Sequence, residues 1–192
     1  MPTPSALATE KTVAVLIAPG LEEVEALAVV DCLYRAGVRA DLIAVADDPV
    51  VESSHGVRLV ADLLLADADL ESYDVLFLPG GMPGTLALEA NSTIAAELDR
   101  RSDAGLAVAA ICAAPSILAK RGHLVGRLAT SNPGFLHVLE EHGALVSEER
   151  AVVDGEILTS RGAGTALDLG IALVEHLLDE DTAARVSAAL VR

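Results

Sequence analysis

The chain contains no tryptophan and only two tyrosines and two phenylalanines. Its core must therefore be built from Ala, Val, Leu and Ile, which leaves little aromatic surface on which nucleic-acid bases could stack. Basic residues are scarce too: 13 Lys and Arg stand against 29 Asp and Glu, a formal net charge of -16 with no basic cluster. Such a chain repels polyanions, so nucleic-acid binding is disfavoured. The lysines are Lys11 and Lys120 alone. A saline habitat and a codon bias towards Ala, Arg, Asp and Gly would each produce this acidic, lysine-poor surface. No apolar run approaches the length that crosses a bilayer, and no signal-peptide pattern opens the chain. Cysteine is limited to Cys32 and Cys112, which excludes a disulfide framework and points to a reducing cytoplasm.

What is present is core material: 52% of the 192 residues are hydrophobic, enough for one compact α/β domain. Residues 1–10 carry two prolines and no basic stretch and are expected to form a flexible leader, with a single domain over 11–192. Thr12 to Ala18 is a continuous apolar run closed by Pro19-Gly20, the pattern of a strand buried on both faces of a parallel sheet. A helix is expected over Leu21 to Arg35, stopped by Gly37, then a strand over Val38 to Ala46. Val50 to Leu65 breaks around Ser53-Ser-His-Gly56 into a small hairpin or excursion. Further strands are expected at Tyr73–Leu78, before Cys112, at Leu128–Thr130 and at Leu145–Ser147, with helices between them. Asp154-Gly155 marks a hairpin, Gly162 to Leu178 a long helix, and Asp181 the N-cap of a last one. Alternating strands and helices imply a doubly wound, mostly parallel sheet with helices on both faces.

The segment with the most chemical content is Ala107 to Ser116, where an apolar run ends at Cys112 and a helix begins at once, with Pro115 in its first turn. A cysteine on a strand-to-helix corner meets backbone donors that can lower its pKa and supply thiolate at neutral pH. Cys32 lies inside a helix and reads as a small core residue. Glu22 and Glu23 complement the positive end of the first helix. Glu25 is different: it is the only polar residue from Val24 to Val30. Burial raises a carboxyl pKa, and a protonated Glu25 would be a hydrogen-bond donor to a thiolate or a sulfur oxyacid. In a doubly wound sheet ligands sit beyond the carboxyl ends of the strands. Gly80, Gly81 and Ala113 should therefore converge with Cys112 and offer amides to an oxyanion. None of the five histidines stands at metal-ligand spacing with a cysteine, and neither a metal nor a cofactor is expected.

Glu22-Glu-Val-Glu25, Arg35-Ala-Gly37, Leu78-Pro-Gly-Gly81, Ala110-Ile-Cys-Ala-Ala-Pro115 and Leu158-Thr-Ser-Arg-Gly-Ala-Gly-Thr165, in that order, resemble the ThiJ/PfpI superfamily. Within it they are most similar to the parkinsonism-associated protein deglycase (DJ-one) branch. The resemblance implies a flavodoxin-like fold, a homodimer, Cys112 as nucleophile and Glu25 as its protonated partner. It also places the amides of Gly80, Gly81 and Ala113 around an oxyanion and Arg35 at the border of the site. The implied activity is glutathione-independent conversion of α-oxoaldehydes such as methylglyoxal, or removal of early glycation adducts from proteins. The alternative is a non-enzymatic sensor or chaperone that responds to oxidation through a Cys112 sulfinic acid. Ala113 stands where other branches have histidine, which argues against Cys-His protease or amidotransferase chemistry. His142 is one residue out of register with a histidine of animal relatives, and His55 matches an arginine near the dimer interface of some relatives. Both are further site candidates.

Overall fold

A computed structural model describes residues 6–192. Of the expected leader, residues 1–5 lie outside the described residues. The rest runs beside the end of the first helix, where the Ala8 N–H donates to the Gly37 carbonyl at 2.9 Å. The strands are β1 (Thr12–Ile17), β2 (Arg39–Ala44), β3 (Val50–Glu52), β4 (Arg58–Val60), β5 (Leu63–Leu64), β6 (Val75–Leu78), β7 (Ala107–Ile111), β8 (Leu128–Ala129), β9 (Leu145–Val146), β10 (Ala151–Asp154) and β11 (Ile157–Ser160). The helices are α1 (Glu23–Ala36), α2 (Gly84–Ala90), α3 (Ser92–Ala104), α4 (Pro115–Lys120), α5 (Leu136–Glu141), α6 (Ala166–Leu177) and α7 (Glu180–Ala189).

Seven strands form the main sheet in the order β10-β11-β7-β6-β1-β2-β5. Every pairing in it is parallel except the β10–β11 hairpin at one edge. The two faces of β1 show why its sequence is an unbroken apolar run. Val13, Val15 and Ile17 pack with α1, α6 and α7 on one side, while Ala14 and Leu16 pack with α3, α4 and α5 on the other. A strand with helices on both faces has no polar side to offer, and this is the flavodoxin-like, doubly wound arrangement.

The chain leaves β1 towards β2 and β5, then returns to the other side of β1 as β6. That reversal opens a crevice beyond the carboxyl ends of β1 and β6. The excursion between β2 and β5 is a separate two-stranded hairpin, β3–β4. It is fastened over the crevice by hydrogen bonds from Gly20 N–H to the Glu52 carbonyl and from Ser54 N–H to the Leu21 carbonyl, both 2.8 Å.

Three sequence expectations shift in detail. The helix expected between the strands at Leu128–Thr130 and Leu145–Ser147 and the one expected from Gly162 each open with a 3-10 turn, at Pro133–Phe135 and Ala163–Thr165, before α5 and α6 begin. The last helix is capped by Asp179, not Asp181, because the Asp179 carboxylate reaches the Thr182 N–H at 2.7 Å.

At the opposite, amino-terminal edge of the sheet, Arg101 is fully buried. Its guanidinium pairs with Glu97 at 2.6 Å and donates to the carbonyls of Leu70, Tyr73, Asp74 and Ala107. The Asp74 carboxylate in turn accepts from the Thr12 N–H at 2.8 Å. The starts of β1, β6 and β7 are thereby tied together.

Candidate active site

The site is built on the corner after β7. Cys112 has φ 63, one of two non-glycine residues with positive φ among those described. That conformation costs an L-residue about 1–2 kcal/mol and persists only where the surroundings fix it. Here they do: the Cys112 N–H donates to the Ser160 carbonyl at 3.0 Å, while its own carbonyl accepts from Asn132 N–H at 2.9 Å and Ser131 Oγ at 2.6 Å. The chain then turns into α4 at Pro115, with Ser116 Oγ donating to the Ala113 carbonyl at 2.7 Å. The thiol is left half-buried at the mouth of the crevice.

Glu25 comes from the first turns of α1 and is only 1% exposed. Its carboxyl hydrogen-bonds to Cys112 and accepts from the Gly80 N–H at 2.9 Å and from the Ala163 amide. Burial pushes its pKa up to about 7, against the lowering effect of those hydrogen bonds. The Cys112 thiol is pushed up to about 12, first by burial and then by the charge of an ionised Glu25, while the amides of Ala113 and Gly81 act in the opposite sense. The sequence suggested a thiol lowered by the corner. Two amides and a helix of six residues, Pro115–Lys120, are outweighed by desolvation and a neighbouring carboxylate. The contribution of Glu25 charge disappears when Glu25 carries a proton, so the state of Glu25 governs how readily the thiolate forms.

Gly81 and Ala113 turn their amides to the sulfur. Gly80 takes a different part from the oxyanion donor expected of it: its N–H is engaged by Glu25 Oε2. A Cβ on Gly80 would lie 2.6 Å from Cys112 Cβ and 2.7 Å from Glu25 Oε2. Its lack of a side chain is what lets the carboxyl and the thiol meet.

Arg35 does not border the site within this chain. It occupies the last turn of α1, half-exposed and bonded to Asp31 at 2.8 Å, about 15 Å along the helix axis from Glu25. A motif match could not show that α1 runs away from the carboxyl edge of the sheet. His142 is also elsewhere, at the end of α5, where its ring Nδ1 lies 2.9 Å from the Val138 carbonyl. His55 stands at the rim on the β3–β4 turn, with Nδ1 3.1 Å from Glu23 Oε2. That partner raises its pKa. Glu22, Glu23 and His55 are the group among the described residues whose ligand atoms lie close enough for a metal, within 4.8 Å of one another. The Glu23–His55 pairing accounts for that closeness.

Two residues not singled out from the sequence also line the site. Gly162, in the turn after β11, faces Glu25, Cys112 and Asn132. Asn132 lies between β8 and α5 in Thr130-Ser-Asn-Pro133, and an Asn-Pro pair at the carboxyl end of a strand is a turn signal that marks a position at the crevice.

A side chain held at positive φ between a central strand and the following helix is the mark of α/β proteins that present a reactive group on an elbow, and this molecule is of that class. A model of the DJ-1/PfpI family matches residues 11–176, and the chain belongs to that family. It is 34% identical to Protein dj-1beta of Drosophila melanogaster over 94% of this chain and 97% of that protein. It is 37% identical to Protein DJ-1 homolog A of Arabidopsis thaliana over 94% of this chain, but spans only 46% of that longer protein. The glutathione-independent glyoxalase DJR-1.2 of Caenorhabditis elegans is 29% identical over 89% of this chain and 91% of its own length. The crystal structure of Drosophila DJ-1beta superposes with a TM-score of 0.90 at 33% identity, covering 95% of this chain and 98% of that one. The structure of oxidized Toxoplasma gondii DJ-1 gives 0.89 at 33% identity, covering 94% and 98%.

Proposed function

We propose that the protein is a cysteine-dependent, glutathione-independent glyoxalase or deglycase acting on α-oxoaldehydes such as methylglyoxal or on their early glycation adducts. The observation that carries this reading is the contact of Glu25, raised to about 7, with a half-buried Cys112 whose sulfur also faces the amides of Gly81 and Ala113. The name of the similar Caenorhabditis protein, a glyoxalase that works without glutathione, supports it.

In this mechanism Glu25, as a carboxylate, takes the Cys112 thiol proton as Sγ adds to the aldehyde carbon, and it is this proton that it passes on in the next step. The carbonyl π bond opens to an alkoxide, which the amides of Gly81 and Ala113 stabilise and Glu25 protonates, giving a hemithioacetal. Glu25, now a carboxylate, removes the proton from that carbon and returns one to the neighbouring ketone carbon through an enediol. The first carbon is oxidised to a thioester while the second is reduced to a carbinol. Water cleaves the thioester, releasing the hydroxy acid and the thiol. The redox change is internal to the substrate, so the reaction needs no external oxidant or hydride carrier. For a glycated protein, the same addition begins on the adduct carbonyl. Purified protein with reduced Cys112 should convert methylglyoxal to lactate, and Cys112→Ser should abolish it. Methylglyoxal left unchanged by the wild type would exclude the enzyme.

The same cradle suits a second reading, an oxidation sensor. Two equivalents of peroxide would take the Cys112 thiol to a sulfinic acid, each being reduced to water, with the new oxygens held by Glu25 and the Ala113 amide. The oxidized state of the similar Toxoplasma structure supports this reading. Mass spectrometry under graded peroxide tests it, and the absence of selective oxidation at Cys112 rejects it.

We also propose a homodimer formed through the outer stripe of α1 and the β3–β4 hairpin. The supporting observation is apolar exposure on neighbouring elements: Val24 and Tyr34 on the helix, Val50, Val57 and Val60 on the hairpin. Light scattering should give twice the 19.7 kDa chain mass, and a monomer at micromolar concentration rejects the dimer.

A further inference from the structure

Asn132 is bound to the elbow by its own backbone. Its N–H donates to the Cys112 carbonyl at 2.9 Å, and the preceding Ser131 hydroxyl donates to the same oxygen at 2.6 Å. The side chain is oriented as firmly. Oδ1 accepts from the Gly134 N–H at 3.0 Å, which fixes the amide against a flip, since only the oxygen can accept. Nδ2 is therefore the end turned to the crevice, and among the described residues it donates no hydrogen bond.

The space it faces is defined by a missing atom. A Cβ on Gly162 would lie 3.7 Å from Glu25 Oε1, 3.8 Å from Asn132 Nδ2 and 3.9 Å from Cys112 Sγ. A nucleophile, a proton carrier and an amide donor therefore border the same bare face of Gly162 and are close enough to one another for a molecule of a few carbons in front of that face to meet all three. The donor is neutral and does not titrate. It cannot move a proton in place of Glu25, but it can hold an oxygen.

We infer that the Asn132 side-chain amide is a specificity-determining group that binds the second oxygen of a substrate with two adjacent carbonyls. The first oxygen lies at the amides of Gly81 and Ala113, beside the carbon attacked by sulfur. The second, on the neighbouring carbon, meets Nδ2. A simple aldehyde fills only the first position. This inference rests on the glyoxalase reading for its substrate class, yet it concerns recognition and can be tested without turnover.

Methylglyoxal and propanal differ by the ketone oxygen alone, and each forms a reversible hemithioacetal in which sulfur bonds to the aldehyde carbon and the thiol proton ends on its oxygen. The test measures how strongly each protects Cys112 from iodoacetamide in the wild type and in Asn132→Ser. Serine keeps an oxygen for the Gly134 N–H and lacks the far donor. Asn132→Asp is the second variant: it keeps Oδ1 and replaces the NH2 with an acceptor. We expect methylglyoxal protection to fall about tenfold in both variants, the effect of one hydrogen bond. Propanal protection, scored relative to alkylation without aldehyde in the same variant, should be unchanged within about twofold on the same scale. Equal losses for both aldehydes would reduce Asn132 to a structural cap, and an unchanged preference for methylglyoxal would remove it from recognition. If the wild type binds methylglyoxal but does not convert it, the enzyme reading fails while the protection ratio still decides the role of Asn132.

Discussion

The amide of Gly80 donates to Glu25 Oε2 at 2.9 Å from a position where any β-carbon would collide with Cys112 Cβ at 2.6 Å. One residue without a side chain thus anchors the carboxyl and makes room for the thiol. Gly80→Ala should cost about 2 kcal/mol of stability through overpacking and separate Glu25 from Cys112. Urea denaturation measures the first, and the pH profile of Cys112 alkylation should lose its dependence on Glu25.

Glu25 binds its proton more tightly in the folded chain, with a pKa raised from 4.5 to about 7. The sign follows: the associated stability is fully present below pH 4.5 and is lost as pH rises through about 7. The loss amounts to at most about 3 kcal/mol. Glu25→Gln should flatten this decline and leave the variant more stable than wild type at pH 8, while abolishing methylglyoxal conversion. Urea midpoints at a series of pH values check it; a wild-type curve that does not fall across the window would contradict a neutral buried Glu25.

Cys32 is fully buried, with its thiol pushed up to about 11 by desolvation and the nearby Asp31. Gly170 of α6 lies so close that a Cβ there would be 2.6 Å from the Cys32 sulfur. Iodoacetamide should therefore label Cys112 alone in the native protein and reach Cys32 only in urea. Peptide mass spectrometry distinguishes the two, and native labelling of Cys32 would show that the α1–α6 contact opens.

Arg101→Met should destabilise by about 3 kcal/mol, because the carbonyls of Leu70, Tyr73, Asp74 and Ala107 lose their buried donor, while Arg100 keeps Glu97 paired. Alkylation of Cys112 in the folded fraction should stay within about twofold of wild type, well inside the tenfold that 1.4 kcal/mol represents. A lower urea midpoint with intact thiol chemistry is the expected result.

The central strands were legible because a strand covered on both faces must be apolar throughout, as β1, β6 and β7 are. Glu25 was legible for the complementary reason: one carboxyl in an apolar stretch stands out. Which amide faces the sulfur was not, since Gly80 and Gly81 differ only by how the loop after β6 folds against Glu25 and Glu22. Within one chain Arg35 lies away from Cys112, which the motif could not show because it records order along the chain and not the direction of a helix. Asn132 carries no periodicity; its Asn-Pro turn signal marks a position at the crevice, but its link to Cys112 shows only in the backbone hydrogen bond between them. The last N-cap moved because Asp179-Glu-Asp181 offers adjacent acids, and only geometry shows which reaches Thr182.

The buried guanidinium of Arg101 fastens the starts of β6 and β7, whereas Cys112, Glu25, Gly80, Asn132 and Gly162 all sit on segments beyond strand ends at the opposite edge. Robustness and chemistry therefore occupy different ends of the same sheet. Substitutions in the crevice can alter the groups around Cys112 without drawing on the fastening that keeps the strands in register.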